Sequence, residues 1–419
     1  MTRWFVLLLA VLSLTVTTGC HDSEPTPPQG PAGRTVLIYM AAQNSLGQWG
    51  NQRRDSMEIA EGSRYIADNN RLLVFMDDAT HPRIYIYTRA HKRPQLVRMW
   101  PADKCSADPE TLKEVWAWTV ANYPAAEYGL VMWSHADGWI PATNTEYARG
   151  RMRPFSFGID TGTADMGNDA RGTQMDIGDM AAAIAAAGVR LRYIFFDACL
   201  MQNVEVAYAL RNVTDYVVAA PMSIPAAGAD YTHQLQAGLF SKDVADIVTT
   251  YYADITDPGK TNDYGDYGIV MSAVRTDKLA GLADALRRVL SRSEAAGRRS
   301  ADMAGVLNYQ AYTSHYFFRP HNYDMQAALR ALLPDRADAE ARRALDEAVV
   351  AKAATDRFYI GPGYYSYQHV DTDNYSGISM FVPQSVYTGN APYTKLGDLN
   401  EAFRRTAWYR DAGWAATGW

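Results

Sequence analysis

Uninterrupted apolar runs recur along the first half of this chain. "TVLIYMAA" (Thr35–Ala42), "RLLVFMDD" (Arg71–Asp78), "YGLVMWSH" (Tyr128–His135) and "LRYIFFDAC" (Leu191–Cys199) are continuous rather than alternating. Continuous runs of this length predict strands buried on both faces of a sheet. "RIYIYT" (Arg83–Thr88) alternates and predicts a strand nearer an edge, and "DYVVAAP" (Asp215–Pro221) adds another strand. Helical patterns fall between them. "DPETLKEVWAWTVANYP" offers Asp108 as N-cap and Pro109 at the first helical position, and it stops before Pro124. A second helix is predicted at about Ile177–Ala187 and a third over "QNVEVAYALRN", directly after Cys199. Strands alternating with helices predict an α/β fold with a mainly parallel sheet and right-handed crossovers. From about Tyr231 the pattern changes. "KLAGLADALRRVLSRSEAA" and "RADAEARRALDEAVVAKAA" read as amphipathic helices, while "YGIVMSAVRT" and "YSGISMFVP" are strand-like and extend or flank the sheet. No Pro/Gly-rich linker separates this part, so residues 34–419 read as one unit with a C-terminal elaboration from about 231.

The amino terminus has a different character. Arg3 and the apolar "WFVLLLAVLSLTV" form an export signal over residues 1–20, too short for a comfortable membrane span. It closes on "TTGC", which resembles a bacterial lipoprotein signal cut before a lipidated Cys20. Thr17 stands where such signals usually carry Leu, and an ordinary secretory signal is the alternative. Residues 21–33, "HDSEPTPPQGPAG", have the composition of a flexible tether. These features place the protein in the bacterial cell envelope, lipid-anchored to a membrane. Composition adds bounds: 419 residues, 48% hydrophobic and 21% charged, are ordinary for a globular protein. A net charge of −6 with no Lys/Arg stripe argues against a nucleic-acid partner.

The candidate chemistry sits where two strands stop. In a parallel α/β sheet, reactive groups collect beyond the carboxyl ends of the strands. His135 and Cys199 both fall there. A neutral imidazole beside a thiol takes its proton, and the thiolate is the nucleophile. The helix expected after Cys199 would add positive potential and lower the thiol's pKa further. Taken singly, each residue is more often structural: a small buried cysteine, or a hydrogen-bonded histidine at a strand end.

Together, "TVLIYMAAQNSLG", "LVMWSHADGW", "YIFFDACLMQNVEVAYAL" and "GISMFVP" resemble, in that order, the signature segments of the clostripain family of cysteine peptidases. That family belongs with the caspases, gingipains and separases. The resemblance spans about Thr35 to Trp414. It implies a caspase-like α/β/α sandwich with a mainly parallel central sheet and a Cys–His dyad. It also implies hydrolysis of peptide bonds on the carboxyl side of a basic residue, with proteins or peptides as substrates. Residue by residue, Cys199 matches the nucleophile and His135 the general acid/base. The backbone N–H groups of Ala136 and Cys199 match the oxyanion donors, and Asp197 matches the acid of the Arg/Lys pocket. An Asp that accepts backbone N–H bonds at a strand end is the structural alternative for Asp197.

The chain departs from the family pattern twice. Ala136 stands where Gly is usual, which matters only if that position needs φ > 0. Where members commonly read Ser-Glu-Glu and then Pro-Gly-x-Gly, this chain reads Ala220-Pro221-Met222 and then Ser223-Ile224-Pro225-Ala226-Ala227-Gly228. The departures motivate a rival reading, a non-catalytic surface lipoprotein that keeps the fold and binds peptides or proteins.

Some members of the family cut themselves between the His and Cys segments. Arg149, Arg151, Arg153 and Arg171 are the basic cleavage points there, with a solvated Arg-containing loop as the alternative. Some also need calcium. No cofactor is required by the residues themselves, but Asp160, Asp165, Asp169, Asp176 and Asp179 supply oxygen ligands of the kind calcium takes, without an EF-hand spacing. Cys105, in a polar loop, is not expected to pair with Cys199. His81, His91, His233, His315, His321 and His369 show no metal-ligand spacing and read as structural or surface groups.

Overall fold

The computed structural model describes residues 30–91, 93–141, 156–169, 172–260, 264–292, 302–309, 320–333, 339–360, 367–388 and 398–419. Cys20, Arg149, Arg151, Arg153, Arg171 and His315 lie outside them, as does most of the tether.

The strands expected from the apolar runs build one sheet. β1 (Ala32–Ala41) begins two residues inside the expected tether, with Ala32 already paired to Ala125. It lies parallel to β2 (Asn70–Asp77), which is followed outward by the antiparallel β3 (Arg83–Tyr87) and β4 (Gln95–Met99). On the other side of β1 runs β5 (Ala125–Trp133). β6 (Phe157–Asp160) and β7 (Thr173–Met175) form a separate antiparallel pair. β8 (Leu191–Asp197) is parallel to β5, and β9 (Thr214–Ala219) is parallel to β8. β10 (Val270–Arg275) adds antiparallel to β9. β11 (Tyr323–Asp324) stands outside the sheet, and β12 (Val349–Ala354) closes it antiparallel to β10. The order is β12-β10-β9-β8-β5-β1-β2-β3-β4, parallel at its centre and antiparallel at both flanks.

Strand alternation divides the core in two. Leu37, Tyr39 and Ala41 of β1 face one layer and Val36, Ile38 and Met40 the other, all sealed from solvent. After β1 come α1 (Ser45–Gln48) and α2 (Asn51–Gly62); α2 covers the second layer through Ile59, together with Tyr231, Ile247 and Tyr251. α3 (Pro109–Asn122), α4 (Ile177–Ala185) and α5 (Val204–Leu210) cover the first, joined by the helix Leu279–Arg292 and the C-terminal Trp408 and Trp414. The result is a three-layer α/β/α sandwich. Burying a side chain the size of Trp116 contributes about 3 kcal/mol. α3 starts as its sequence predicts, with the Asp108 carboxylate accepting the Glu110 N–H at 2.9 Å.

The C-terminal part departs from the helical expectation in one place. The expected helix over "RADAEARRALDEAVVAKAA" ends at Ala348, and "VVAKAA" is β12 instead. Val349 is β-branched and pairs with Val274 of β10, and the ladder continues through Ala351–Ala354, so tertiary pairing overrides the helical periodicity. "YSGISMFVP" flanks the main sheet, one of the two placements expected of it. Its Ser379–Met380 strand pairs with β11, and the Ser379 N–H donates to Gln202 O at 2.9 Å. This strap braces the turn after Cys199.

Candidate active site

The site grows from the carboxyl ends of β1, β5 and β8. β5 and β8 run parallel in a register that pairs Trp133 with Asp197. His135 and Cys199 each lie two residues beyond that last pair, on neighbouring strand ends where the strand spacing is about 4.8 Å. Register alone therefore brings the imidazole and the thiol to one edge.

His135 is held from the β1 side. Ser134 Oγ donates to Ala41 O at 2.8 Å, and Asn44 Nδ2 donates to Ala41 O at 2.8 Å and to Ile159 O at 2.9 Å. These bonds tie the ends of β1, β5 and β6 together. Gly158 N–H donates to His135 O at 2.9 Å. The ring keeps a quarter of its surface exposed, and its Nε2 lies 2.9 Å from Ser45 Oγ and 3.3 Å from Asp169 Oδ2. Ser45 in turn donates its N–H to Asp169 Oδ1 at 2.9 Å and its hydroxyl to Asp169 Oδ2 at 2.5 Å. Burial alone would raise the Asp169 carboxyl, but the hydrogen bonds from His135 and Ser45 outweigh it and hold the group below the usual carboxylate range.

Ala136 makes an antiparallel bridge to Phe157 and does not adopt a positive φ. Alanine therefore fits at this position without backbone strain. The glycine that the turn needs is Gly138, at φ 76°, where a Cβ would stand 2.1 Å from Asn203 Oδ1. Asn203 uses that oxygen to accept the Trp139 N–H at 3.1 Å.

Cys199 leaves β8 through a strained turn. Leu200, at φ 62°, is the one non-glycine residue with positive φ among the described residues. The conformation costs on the order of 1–2 kcal/mol. Two bonds hold it, from Leu200 N–H to Met222 O at 2.9 Å and from Gln202 N–H to Ala220 O at 3.1 Å. Cys199 is partly buried, and its sulfur accepts the Ile224 N–H at 3.4 Å. Burial pushes the thiol up to about 11, with the Ile224 N–H working against that rise. This corrects the expectation of a thiol lowered by a helix terminus. α5 begins only at Val204, five positions on, and spans seven residues. Among the described residues, neither the Ala136 nor the Cys199 N–H has a hydrogen-bond acceptor, and no hydrogen bond joins Cys199 to His135.

Asp197 lies under the turn, 3% exposed. Its carboxylate accepts the Ala229 N–H at 3.1 and 3.2 Å and the Tyr231 hydroxyl at 3.0 Å. Gly228, at φ 64°, packs so closely that a Cβ there would stand 2.8 Å from Asp197 Oδ2. Burial raises Asp197 to about 6 despite these donors. Asp55 and Glu58 of α2, which the apolar pattern did not single out, add acid nearby: burial raises Asp55 and takes Glu58 to about 7. Arg54 lies among them, bonded to Ala227 O and paired with both carboxylates.

The clostripain family model matches residues 38–415. The chain belongs to the clostripain family. Solved relatives of this clostripain-family chain share its architecture nearly end to end. A secreted C11 cysteine protease from Bacteroides thetaiotaomicron, in complex with an irreversible peptide inhibitor, is 27% identical with a TM-score of 0.73, covering 91% of this chain and 99% of that one. An inactive zymogen C11 protease from Parabacteroides distasonis is 28% identical with a TM-score of 0.72, over 91% of this chain and 99% of that one. A search of curated protein sequences finds no match. The clostripain-family chain is a cysteine peptidase with a caspase-like α/β fold, acting on proteins or peptides.

The five aspartates considered for calcium do not converge in this clostripain-family fold. Asp160 turns inward to accept the Ser106 N–H at 2.6 Å and hydroxyl at 2.9 Å, Asp169 serves Ser45 and His135, and Asp179 is exposed. They do not fit a calcium site as a set. The acid–imidazole group that does converge is one the linear spacing did not reveal: Asp230, His233 and Asp254. Lys260 Nζ already occupies its centre, 2.6 Å from Asp230, 2.5 Å from Asp254 and 3.1 Å from His233. Cys105 and Cys199 are both free thiols, and burial takes Cys105 to about 12.

Proposed function

We propose that Cys199 and His135 form the dyad of this peptidase and hydrolyse peptide bonds on the carboxyl side of Arg or Lys. His135 takes the thiol proton and Cys199 Sγ attacks the scissile carbonyl. The Ala136 and Cys199 N–H groups donate to the oxyanion, each such donor contributing about 3 kcal/mol in the transition state. His135 then protonates the leaving amine, and water hydrolyses the thioester. The observation that carries this reading is the β5–β8 register, which leaves both side chains two residues past a shared rung. The basic-residue preference draws on the match of Asp197, which lies beneath Cys199, to the acid of the family's Arg/Lys pocket. The negative φ of Ala136 removes one motive for a non-catalytic reading.

The localisation proposal is a lipid anchor at Cys20 in the bacterial envelope. Its support is the "TTGC" signal and a relative that is described as secreted. Among the described residues no helix is long and apolar enough to cross a membrane.

The test incubates purified protein with arginyl, lysyl and neutral peptide substrates. Turnover is expected for the basic substrates, with Cys199→Ala and His135→Ala each reduced at least about 10³-fold, the scale of losing a nucleophile or its base. Turnover that persists in Cys199→Ala overturns the mechanism. Equal rates on basic and neutral substrates overturn the specificity alone.

A further inference from the structure

We propose that Asp169 and Ser45 are positioning residues for His135, a carboxylate–hydroxyl clamp that fixes the ring tautomer and leaves Nδ1 as the base. The inference rests on the Cys199–His135 reading above. It follows from counting protons. An ionised carboxylate only accepts hydrogen bonds, and a serine hydroxyl has a single proton to give. Ser45 Oγ stands 2.5 Å from Asp169 Oδ2, so that proton goes to the carboxylate. Toward His135 Nε2, at 2.9 Å, Ser45 Oγ then offers only lone pairs. Nε2 must be the protonated nitrogen, with Asp169 Oδ2 at 3.3 Å sharing its N–H. A neutral imidazole carries one N–H, which leaves the lone pair on Nδ1.

The clamp acts at each proton transfer. When the Cys199 proton moves from Sγ to Nδ1, the ring becomes an imidazolium whose Nε2–H faces the ionised Asp169. The S–C bond forms as the carbonyl π pair moves to oxygen. As the C–N bond breaks, the Nδ1 proton passes to the leaving amine and the ring is neutral again. Water repeats the cycle, giving its proton to Nδ1 while its oxygen adds to the thioester. The expelled thiolate recovers that proton. Asp169 gains no proton at any stage; it stabilises the charged ring. Among the described residues, Asp137, on the turn after His135, and Asp197, below Cys199, are the other acids that act on the sulfur.

The experiment compares wild type with Asp169→Asn, Ser45→Ala and Ser45→Thr, with the exposed Asp179→Asn as control. Peptide kcat and KM are measured, with the rate of iodoacetamide alkylation at Cys199 across pH 5–9. Asp169→Asn is expected to lower kcat about 10²–10³-fold with KM within about threefold, as for carboxylates that orient a catalytic imidazole. Its alkylation plateau should fall, because the charged ring loses its nearby carboxylate. Ser45→Ala should lose about tenfold in kcat, and Ser45→Thr should recover most of it. An Asp169→Asn variant with wild-type kcat and an unmoved alkylation profile overturns the clamp. If wild type turns over no peptide, the dyad reading falls separately, and the alkylation profile still decides the clamp.

Discussion

Two aspartates flank the same strand ends and live under opposite physics. Asp169, at the rim beside His135, is partly exposed and held below its ordinary pKa by an imidazole and a hydroxyl. Asp197, beneath Cys199, is sealed and raised to about 6 by burial, with its oxygens spent on Ala229 and Tyr231. The first carboxylate is placed to act on a neighbour's charge. The second is placed to hold a loop, and that loop carries Ile224 against the nucleophile. What distinguishes them is solvent access and the chemistry of the donors, since both are short acids near a strand end or a turn.

The largest expected effects break this contrast by truncation. Asp197→Ala leaves the Ala229 N–H and the Tyr231 hydroxyl buried without an acceptor. The loss should be about 3 kcal/mol, read as a lower urea midpoint. Asp169→Ala should cost less than about 1 kcal/mol in the same measurement while removing most of the activity. Equal destabilisation by the two would erase the distinction. Gly228→Ala comes next. A Cβ placed 2.8 Å from the Asp197 carboxylate at φ 64° should cost about 2 kcal/mol and slow Cys199 chemistry by loosening the segment over it.

The pH dependence of the two aspartates sharpens the comparison, because their signs differ. Asp197 has a raised folded pKa, so the folded state binds its proton more tightly. Its contribution to stability is present in acid and lost as pH rises from about 4 through about 6, up to about 3 kcal/mol. Asp169 has a lowered folded pKa, so its contribution is present above the ordinary aspartate range. It is lost as pH falls through the depressed folded value. Asp197→Asn should therefore flatten the pH 4–6 part of the unfolding profile, measured by thermal melts, while Asp169→Asn leaves the Asp197 step in place. In peptide assays, preference for basic over neutral substrates should weaken below about pH 6 as Asp197 protonates; an unchanged ratio would remove Asp197 from substrate selection. The smallest effect is expected from Ala136→Gly. Since Ala136 has no positive φ, restoring the family's usual glycine should change kcat/KM less than about twofold and cost about 0.5–1 kcal/mol of stability.

Much of this was readable along the chain, and the misses share a cause. The buried strands announce themselves because each must be apolar on both faces, and α3 announces its start because Asp108 and Pro109 suit the first turn. The strand β12 was hidden inside a helix-like run, since Ala and Val at near-helical spacing are settled only by the ladder that β10 provides. Ser45 opens the one-turn helix α1 and Asp169 lies in a loop 124 positions away, and neither segment carries a periodic signal. Asp169 looked like any other acid of a long loop, and Lys260 gave no linear sign of sitting between Asp230 and Asp254.

By itself the sequence determined the parallel core, the layers that cover it and the presence of a thiol and an imidazole at strand ends. These follow from local rules of burial and capping that act within a few residues. Only the tertiary structure decided that β5 and β8 are neighbours in a register ending at Trp133 and Asp197, that one loop acid meets His135 and that another acid is buried under Cys199. Those outcomes depend on which loops converge, and the pKa of each acid follows from the neighbours that convergence supplies.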